Sequence, residues 1–513
     1  MLKKYVLLAV PMVLLGMTIF WLTSNKKRDG NMTLRVAFPY NRPVSAYEPT
    51  KIHLAPEYIF LENVYSPLVE LSKENGTPIA GVAQSFEWKD GELHLQIREN
   101  LQTVDGIKIT AQDVEFSLKR LLILSENTHG NFKDLICPVE TLESIESACS
   151  GISVDGNTVI LKSNGEKAFL LAMLSSIDFA ILPKSSVDPK TLKITDYRNT
   201  SGPYYVENDN GNGMIKLLAN KHHYNYSKNV PQEIELVPSG IDGAKDSITL
   251  FKENKVDFIT TIDKLNPEKV IAYSKESGQT LHSTMNIRTF ILTFTDKGLK
   301  KYNHRERLAI GKKMRSVFHK MYENTSGYEK TNQFFPALGD GSLADSENTE
   351  IQKIYEDSED VAIKDLFVSI VRLGEFKQFE KPIKDAFPDV KLIEGNNAPA
   401  FTKYKNEDEM PDCFIGGPDT GFTEDISLIS YSIYAGFFKM DRNQGSKWLA
   451  DYMNVLDKNE RLKRLKDLHL KTLKDVIIVP LVSAPYVALA RKPWTIELSQ
   501  IYANNPLWPV VKK

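Results

Sequence analysis

Between Glu92 and Arg98 apolar and polar residues alternate, with Leu93, Leu95 and Ile97 on one side and His94 and Gln96 on the other. A period of two predicts a half-buried strand. The SFEW stretch, 85–88, alternates in the same way, and Asp90-Gly91 between the two is a hairpin turn signal. The stretch IRENLQTVDGIKITAQDVEFSLKRLL, 97–122, then changes period. Thr103 to Gly106 turns the chain. Thr110 stands as an N-cap before Ala111-Gln112-Asp113, and Asp113 puts negative charge in the first turn. Val114, Leu118 and Leu121 continue at helical spacing. A helix is therefore expected to lie against the hairpin.

The rest of the chain reads in the same two periods. MTLRVAFPY, 32–40, is a strand; PEYIFLENVYSPLVEL, 56–71, has Ile59, Val64, Leu68 and Leu71 at helical spacing. GISVDGNTVILKS, 151–163, is a second hairpin, and KAFLLAMLSS, 167–176, an apolar helix. Tyr204 to Val206 and the IKLLA stretch read as paired strands around the Asn/Gly-rich turn ENDNGNG, 207–213. SITLFKENKVDFIT, 247–260, is a helix ending in a strand, TFILTFTD, 289–296, a strand, and HRERLAIGKKMRSVFHKMY, 304–322, a helix. Strands then alternate with helices through DVAIKDLFVSIV, FKQFEKPIKDAF and DVKLIEGN, to the apolar strand and turn of DCFIGGPD, 412–419. Asn459 to Leu473 is a helix with Leu462, Leu465 and Leu468 on one side. VIIVPLVSAPYVALA, 476–490, is very apolar, but Pro480 and Pro485 interrupt it, which fits crossing strands rather than a membrane helix.

With 513 residues the chain is too long for one core, so several lobes are expected. Apolar content of 42% and charged content of 25% are ordinary, and a formal net charge of −2 points to no nucleic-acid partner. The N-terminus departs from this texture. An uncharged apolar run from Tyr5 to Leu22 is flanked by Lys3 and Lys4 before it and by Lys26, Lys27 and Arg28 after it. It suits an uncleaved membrane anchor or a long signal-peptide core, and the poor Leu22-Thr23-Ser24 cleavage site favours the anchor. No cysteine precedes Cys137, so no lipid-modified N-terminal cysteine is available. Cys137 and Cys149 enclose a short loop suited to a disulfide in an oxidising compartment; three reduced thiols, with Cys413, are the alternative.

Catalytic patterns are missing: there is no G-x-S-x-G, P-loop, H-E-x-x-H or dinucleotide glycine fingerprint, and no metal site is expected. His222-His223 reads as a solvated strand end. The basic residues Lys312, Lys313, Arg315, His319 and Lys320 read as the solvated face of a helix whose core face is Ile310, Met314, Val317 and Met321. A large chain with ordered lobes and no catalytic set points to a binder rather than an enzyme.

One motif is specific. Ile97-Arg98, Asp105-Gly106, Thr110-Ala111-Gln112-Asp113-Val114 and Arg120 resemble a signature of the family 5 extracellular solute-binding proteins of ABC importers, the oligopeptide- and dipeptide-binding type. NVYSPLVEL, GVAQSFEW, Thr200-Ser201-Gly202-Pro203-Tyr204, Arg305-Glu306-Arg307-Leu308-Ala309 and VIIVPLVSAPYVALA are similar to further family segments, so the resemblance covers about 33–513. It implies an α/β fold, the periplasmic-binding-protein type II clamshell, with two α/β lobes joined by hinge strands plus an extra α+β lobe. The implied division is 1–30 as signal peptide or uncleaved membrane anchor, 31–64 with 192–284 and 484–513 as lobe I, 65–191 as lobe II and 285–483 as lobe III. TFILTFTD and VIIVPLV would be the hinge strands.

The resemblance also implies the function. A peptide or similar small solute would bind between lobes I and III and pass to permease subunits, outside the cytoplasm, with no cofactor and a monomeric chain. Asp419 matches the family aspartate that pairs with a peptide's α-amine; Tyr40, Tyr47 and Phe414 are further ligand-binding candidates by position. The family usually has Gly-Trp before that aspartate and Asp-Pro after it, whereas here Gly416-Gly417-Pro418 precedes it and Glu424-Asp425 follows without proline. A membrane-tethered sensor or assembly module of the same fold is the alternative reading.

Overall fold

A computed structural model of the protein describes residues 32–513 apart from 40–41, 53–54, 75, 125–129, 138–141, 164–166, 210–213, 241–243, 261–266, 285, 338, 372–375, 396–397, 418–428, 430–431, 456, 500–506 and 508. The apolar run 5–22 therefore lies outside the described residues; among those described, no helix is long and apolar enough to cross a membrane.

Strand β1 (Thr33–Phe38) is followed by helix α1 (Ala55–Val64). Then come β2 (Ala83–Lys89), β3 (Glu92–Ile97), helix α2 (Ala111–Leu124), β4 (Ile152–Asp155) and β5 (Thr158–Lys162). The next strands are β6 (Tyr204–Asp209), β7 (Ile215–Ala219), β8 (Glu233–Pro238) and β9 (Phe258–Thr260). Helix α3 (Pro267–Ser277) leads to β10 (Thr280–Ser283) and β11 (Arg288–Phe294). After helix α4 (His304–Tyr322) come β12 (Glu329–Lys330), β13 (Phe367–Val371), β14 (Lys391–Gly395) and β15 (Cys413–Gly416). Helix α5 (Lys458–Lys474) precedes β16 (Ile478–Ala484) and β17 (Val487–Ala490).

Three sheets organise these elements. One has seven strands in the order β10-β17-β9-β1-β8-β7-β6, one has six in the order β12-β16-β11-β15-β13-β14, and one has four in the order β2-β3-β5-β4. The four-stranded sheet is the one the opening stretch predicts. Asp90 and Gly91 both take positive φ, 50° and 87°, as a two-residue hairpin turn requires, and Lys89 pairs with Glu92 across it. Leu93, Leu95 and Ile97 are completely buried. Thr110 and Asp113 cap α2 reciprocally: Asp113 N donates to Thr110 Oγ1 (3.3 Å), and Thr110 N donates to Asp113 Oδ2 (2.8 Å). The helix lies over β4 and β5, the second hairpin of that sheet, rather than over the hairpin next to it in sequence. Cys137 and Cys149 are joined by a disulfide across a Cα separation of 5.3 Å, and Cys413 is buried as a free thiol.

Three further expectations are corrected. The helical reading of 56–71 fails after Val64: Val69–Leu71 is a strand paired with Pro78–Ala80, because Pro67 has no N–H to continue a helix. His223 is not a solvated strand end. It follows β7 in a turn, is 4% exposed, and holds Ser66 Oγ at 3.0 Å from its Nε2. The basic face of α4 is not uniformly solvated either. Arg315 is buried, donating to the carbonyls of Pro480 (2.7 Å) and Thr331 (3.0 Å), and His319 sits 2.9 Å from the Leu481 carbonyl. The Pro480 and Leu481 carbonyls belong to β16, and Thr331 directly follows its partner strand β12. The register of β11 on β16 shifts between Phe290 and Ile291, beside Pro480 and Leu481.

Candidate functional site

The strand register places the site. In the seven-stranded sheet, β1 runs parallel to β8 and to β9; in the six-stranded sheet, β13 runs parallel to β14 and to β15. Ligands of open α/β sheets bind beyond the carboxyl ends of such strands. Those ends point toward each other here. Thr260 ends β9 opposite Ala488, near the start of β17, and β15 runs antiparallel to β11, toward its start, ending with Gly416 opposite Ile291 at mid-strand. The starts of β17 and β11 are where the chain crosses between the sheets. Residues 284–287 carry it from β10 to β11, and Pro485-Tyr486 carry it back from β16 to β17.

The two crossovers run side by side. Thr284 N donates to the Tyr486 carbonyl at 2.9 Å, and Tyr486 N donates to Thr284 Oγ1 at 2.9 Å. All seven residues of β16 are buried, since it is covered on both faces, which explains the near-continuous apolar run around Pro480. Two bodies thus meet at a crevice with a two-strand hinge.

The predicted site residues fall unevenly on this frame. Asp419 and Tyr40 lie outside the described residues; they follow the ends of β15 and β1, respectively. Tyr47 is described and 1% exposed, stacked on Phe60 of α1 at 4.1 Å. Phe414 is 4% exposed and stacks on Phe437 at 5.9 Å. Neither ring offers appreciable surface to a solute in this conformation. Other crevice-end groups were not singled out by sequence. Ser239, just past β8, is fully buried, donates its N–H to the Phe38 carbonyl (3.0 Å), and has no hydrogen-bond partner for its hydroxyl among the described residues. Glu268 opens α3 beyond β9, and Arg288 starts β11.

Arg120, the last residue of the specific motif, has a structural role that serves the site. From α2 it reaches the segment that carries Tyr47. Its Nη1 and Nη2 donate to Glu48 Oε1 (3.0 Å) and Oε2 (2.6 Å), and its Nε donates to the Leu192 carbonyl (2.8 Å). Glu48 Oε1 also accepts from Thr50 N, and the Tyr197 hydroxyl donates to the Tyr47 carbonyl at 3.0 Å. Burial, with the charge of Glu48 nearby, pushes the Tyr197 phenol above its usual range. The motif therefore fixes the loop after β1 from behind.

Two grooves lie away from the carboxyl ends. One of about 400 Å³ is in the helical layer between Lys252 and Tyr273, and one of about 700 Å³ is at the far end of β10, lined by Thr280, His282, Thr495 and Lys513. Strand topology, not groove size, identifies the functional crevice here.

The profile of the bacterial extracellular solute-binding proteins, family 5, matches residues 77–345. The periplasmic oligopeptide-binding protein OppA of Salmonella typhimurium is 24% identical over 225 residues, which span 42% of this chain and 40% of that relative's length. Among solved structures, the chain is similar to a periplasmic oligopeptide-binding protein (OppAIV) from Borrelia burgdorferi, with 18% identity, TM-score 0.71 and coverage of 94% of this chain and 100% of that one. It is similar to NikA from Brucella suis, solved in complex with Fe(III)-EDTA, with 15% identity, TM-score 0.71 and the same coverage. The two-body frame is thus the type II periplasmic-binding-protein fold, and the chain belongs to the family 5 bacterial extracellular solute-binding proteins.

Proposed function

We propose that this protein is the extracytoplasmic solute-binding component of an ABC importer, and that it encloses a peptide or similar small solute between the seven-stranded and six-stranded sheets. The observation that carries the reading is the convergence of the parallel-strand carboxyl ends of both sheets on one crevice, with a two-strand hinge beside it. Family membership and the oligopeptide-binding relatives support the solute class.

In this reading lobe I comprises 31–64, 192–284 and 484–513, lobe II 65–191 and lobe III 285–483. Solute binding favours the closed arrangement, because contacts to both lobes form only there. Asp419, three residues past the end of β15, pairs with the α-amine of a peptide, and the peptide backbone bonds in strand fashion to the crevice turns. The apolar run from Tyr5 to Leu22 tethers the protein beside its permease.

A non-peptide solute is the second reading. It is favoured by Gly416-Gly417-Pro418, which replaces the aromatic wall usual before the aspartate, and by the relative solved with Fe(III)-EDTA. Thermal shift of the full chain against mixtures of two- to five-residue peptides separates the readings. A rise in melting temperature that Asp419→Ala abolishes supports peptide capture through that carboxylate. A rise that survives the substitution rules out Asp419 as the amine partner, and no rise with any peptide rules out the peptide reading.

A further inference from the structure

The crossovers are not the sole link between the two bodies. Tyr328 belongs to the six-stranded body. Its ring stacks on Tyr322 of α4, with centroids 4.1 Å apart and planes 12° apart, and meets Phe290 of β11 edge-on at 6.0 Å. The next residue, Glu329, starts β12 and pairs with Ser483 of β16. Glu268 belongs to the seven-stranded body. It sits in the first turn of α3, which packs on β17 and β10 and buries Val270 and Ile271. Across the gap between the bodies, the Tyr328 hydroxyl donates to Glu268 Oε2 at 2.7 Å.

The approach is built into the backbone. Gly327 takes φ +89°, and a Cβ there would lie 3.0 Å from Pro485 Cγ and 3.3 Å from Ile271 Cδ1. The turn before Tyr328 therefore rests on the crossover proline and on α3 at once. Both groups stand at the facing ends of their sheets: Glu268 lies beyond the carboxyl end of β9, and Tyr328 lies level with the hinge end of β16. Rotation that parts these ends must part the two side chains, because each is fixed to its own body.

We infer that Tyr328 and Glu268 form a latch that holds the two bodies in the approach seen here, so that they are positioning residues for solute capture. The latch favours the approached arrangement before any solute binds. A solute then has less of the closing equilibrium to supply, and its apparent affinity rises by the same factor. The inference rests on the clamshell reading proposed above.

The test uses the full chain in detergent, with Lys255→Cys and Lys381→Cys carrying spin labels, one exposed site on each body. The native cysteines do not compete, since two are bonded and Cys413 is buried. Interlabel distances are recorded without added peptide and with a peptide mixture. In Tyr328→Phe, which keeps the ring stack and removes the hydroxyl, the short-distance fraction relative to the long one falls by roughly tenfold without peptide. Glu268→Gln, which still offers an acceptor but no charge, falls between parent and Tyr328→Phe. If the parent populates two distances and Tyr328→Phe reproduces its distribution, the latch is refuted while the closing motion stands. If the parent holds one distance under every condition, the closing motion itself fails and the latch falls with it.

Discussion

Arg120 and Glu48 stand 72 residues apart in sequence and meet in a two-pronged ion pair, with the guanidinium 1% exposed. The arginine comes from the helix behind the four-stranded sheet, and the glutamate from the loop that follows β1 toward the crevice. Removing one partner of a buried pair leaves the other without its counter-charge. Arg120→Met is expected to lower unfolding stability by about 3 kcal/mol, somewhat below the cost for a fully buried pair because Glu48 keeps some solvent contact. Urea denaturation checks this; a loss under about 1 kcal/mol contradicts the clamp.

The glycine of Ser201-Gly202-Pro203 has a steric role. A Cβ at Gly202 would run into the backbone carbonyl of Val64 and come within 2.6 Å of Tyr65 N. Gly91 differs: its φ is +87°, yet nothing lies within 4 Å of a Cβ built there. Gly202→Ala is expected to cost about 3 kcal/mol through forced backbone movement, and Gly91→Ala about 1 kcal/mol through conformation alone. Equal costs in chemical denaturation contradict the assignment.

Two buried imidazoles tie stability to acid. His469 accepts from Phe334 N at its Nε2 (2.9 Å), so its Nδ1 carries the proton toward the Gly341 carbonyl (3.0 Å). His223 accepts from Asn225 N at Nδ1 (3.1 Å) and so donates from Nε2 toward Ser66 Oγ. Burial pushes His469 down to about 4, and burial with the charge of Arg98 pushes His223 down to about 3. The unfolded chain then binds more protons than the folded one below about pH 6.5. Stability is fully present above that pH and falls as pH drops toward 4, by on the order of 2 kcal/mol per histidine. His469→Gln flattens the decline, measured as urea midpoint against pH; an unchanged slope contradicts the burial argument.

Glu62 has the opposite sign. Part of its side chain reaches solvent, but Oε2 is shielded and has no hydrogen-bond partner among the described residues. Burial, then the charges of Asp178 and Glu70, raise its carboxyl to about 8. The folded state binds more protons here, so this contribution is present below about pH 4.5 and is lost as pH rises toward 8. Glu62→Gln is expected to stabilise the protein at pH 8 by about 1–2 kcal/mol and to be near neutral at pH 5. No gain at pH 8 refutes the shielded-carboxyl account.

Much of the frame was legible from residue patterns. Asp90-Gly91, the capped start of α2 and the 304–322 helix depend on local turn and capping chemistry, which a sequence displays. The proline-interrupted apolar run was readable as crossing strands because each of its two prolines removes a helical hydrogen bond and disfavours a helix. Contacts that join distant segments were not readable. Glu48 and Tyr328 sit among ordinary polar residues, and nothing local says that one meets Arg120 and the other Glu268. Arg315 and His319 were misread because helical spacing alone does not tell which basic residues a neighbouring strand's carbonyls will claim. Asp419 was chosen by resemblance and Tyr40 by position, and both follow strands that end at the crevice.

The thiol count is a direct check on the covalent frame. Without reductant, denatured protein should titrate one thiol, Cys413, and after reduction all three. Reduction should also lower stability by about 2–3 kcal/mol, the range for a short closed loop. Three thiols in unreduced protein contradict the Cys137–Cys149 bond.

The central claim is that the two large sheets close on a small solute. Native mass spectrometry of the full chain, released from detergent micelles after expression in an oxidising compartment, tests it most directly. The account predicts an excess mass over the denatured protein that resolves into peptides or one small solute. It also predicts that Asp419→Ala loses the excess mass if that solute is a peptide. A mass equal to the polypeptide alone, unchanged after incubation with peptide mixtures and small-solute extracts, would contradict solute capture and leave a tethered module of the same fold.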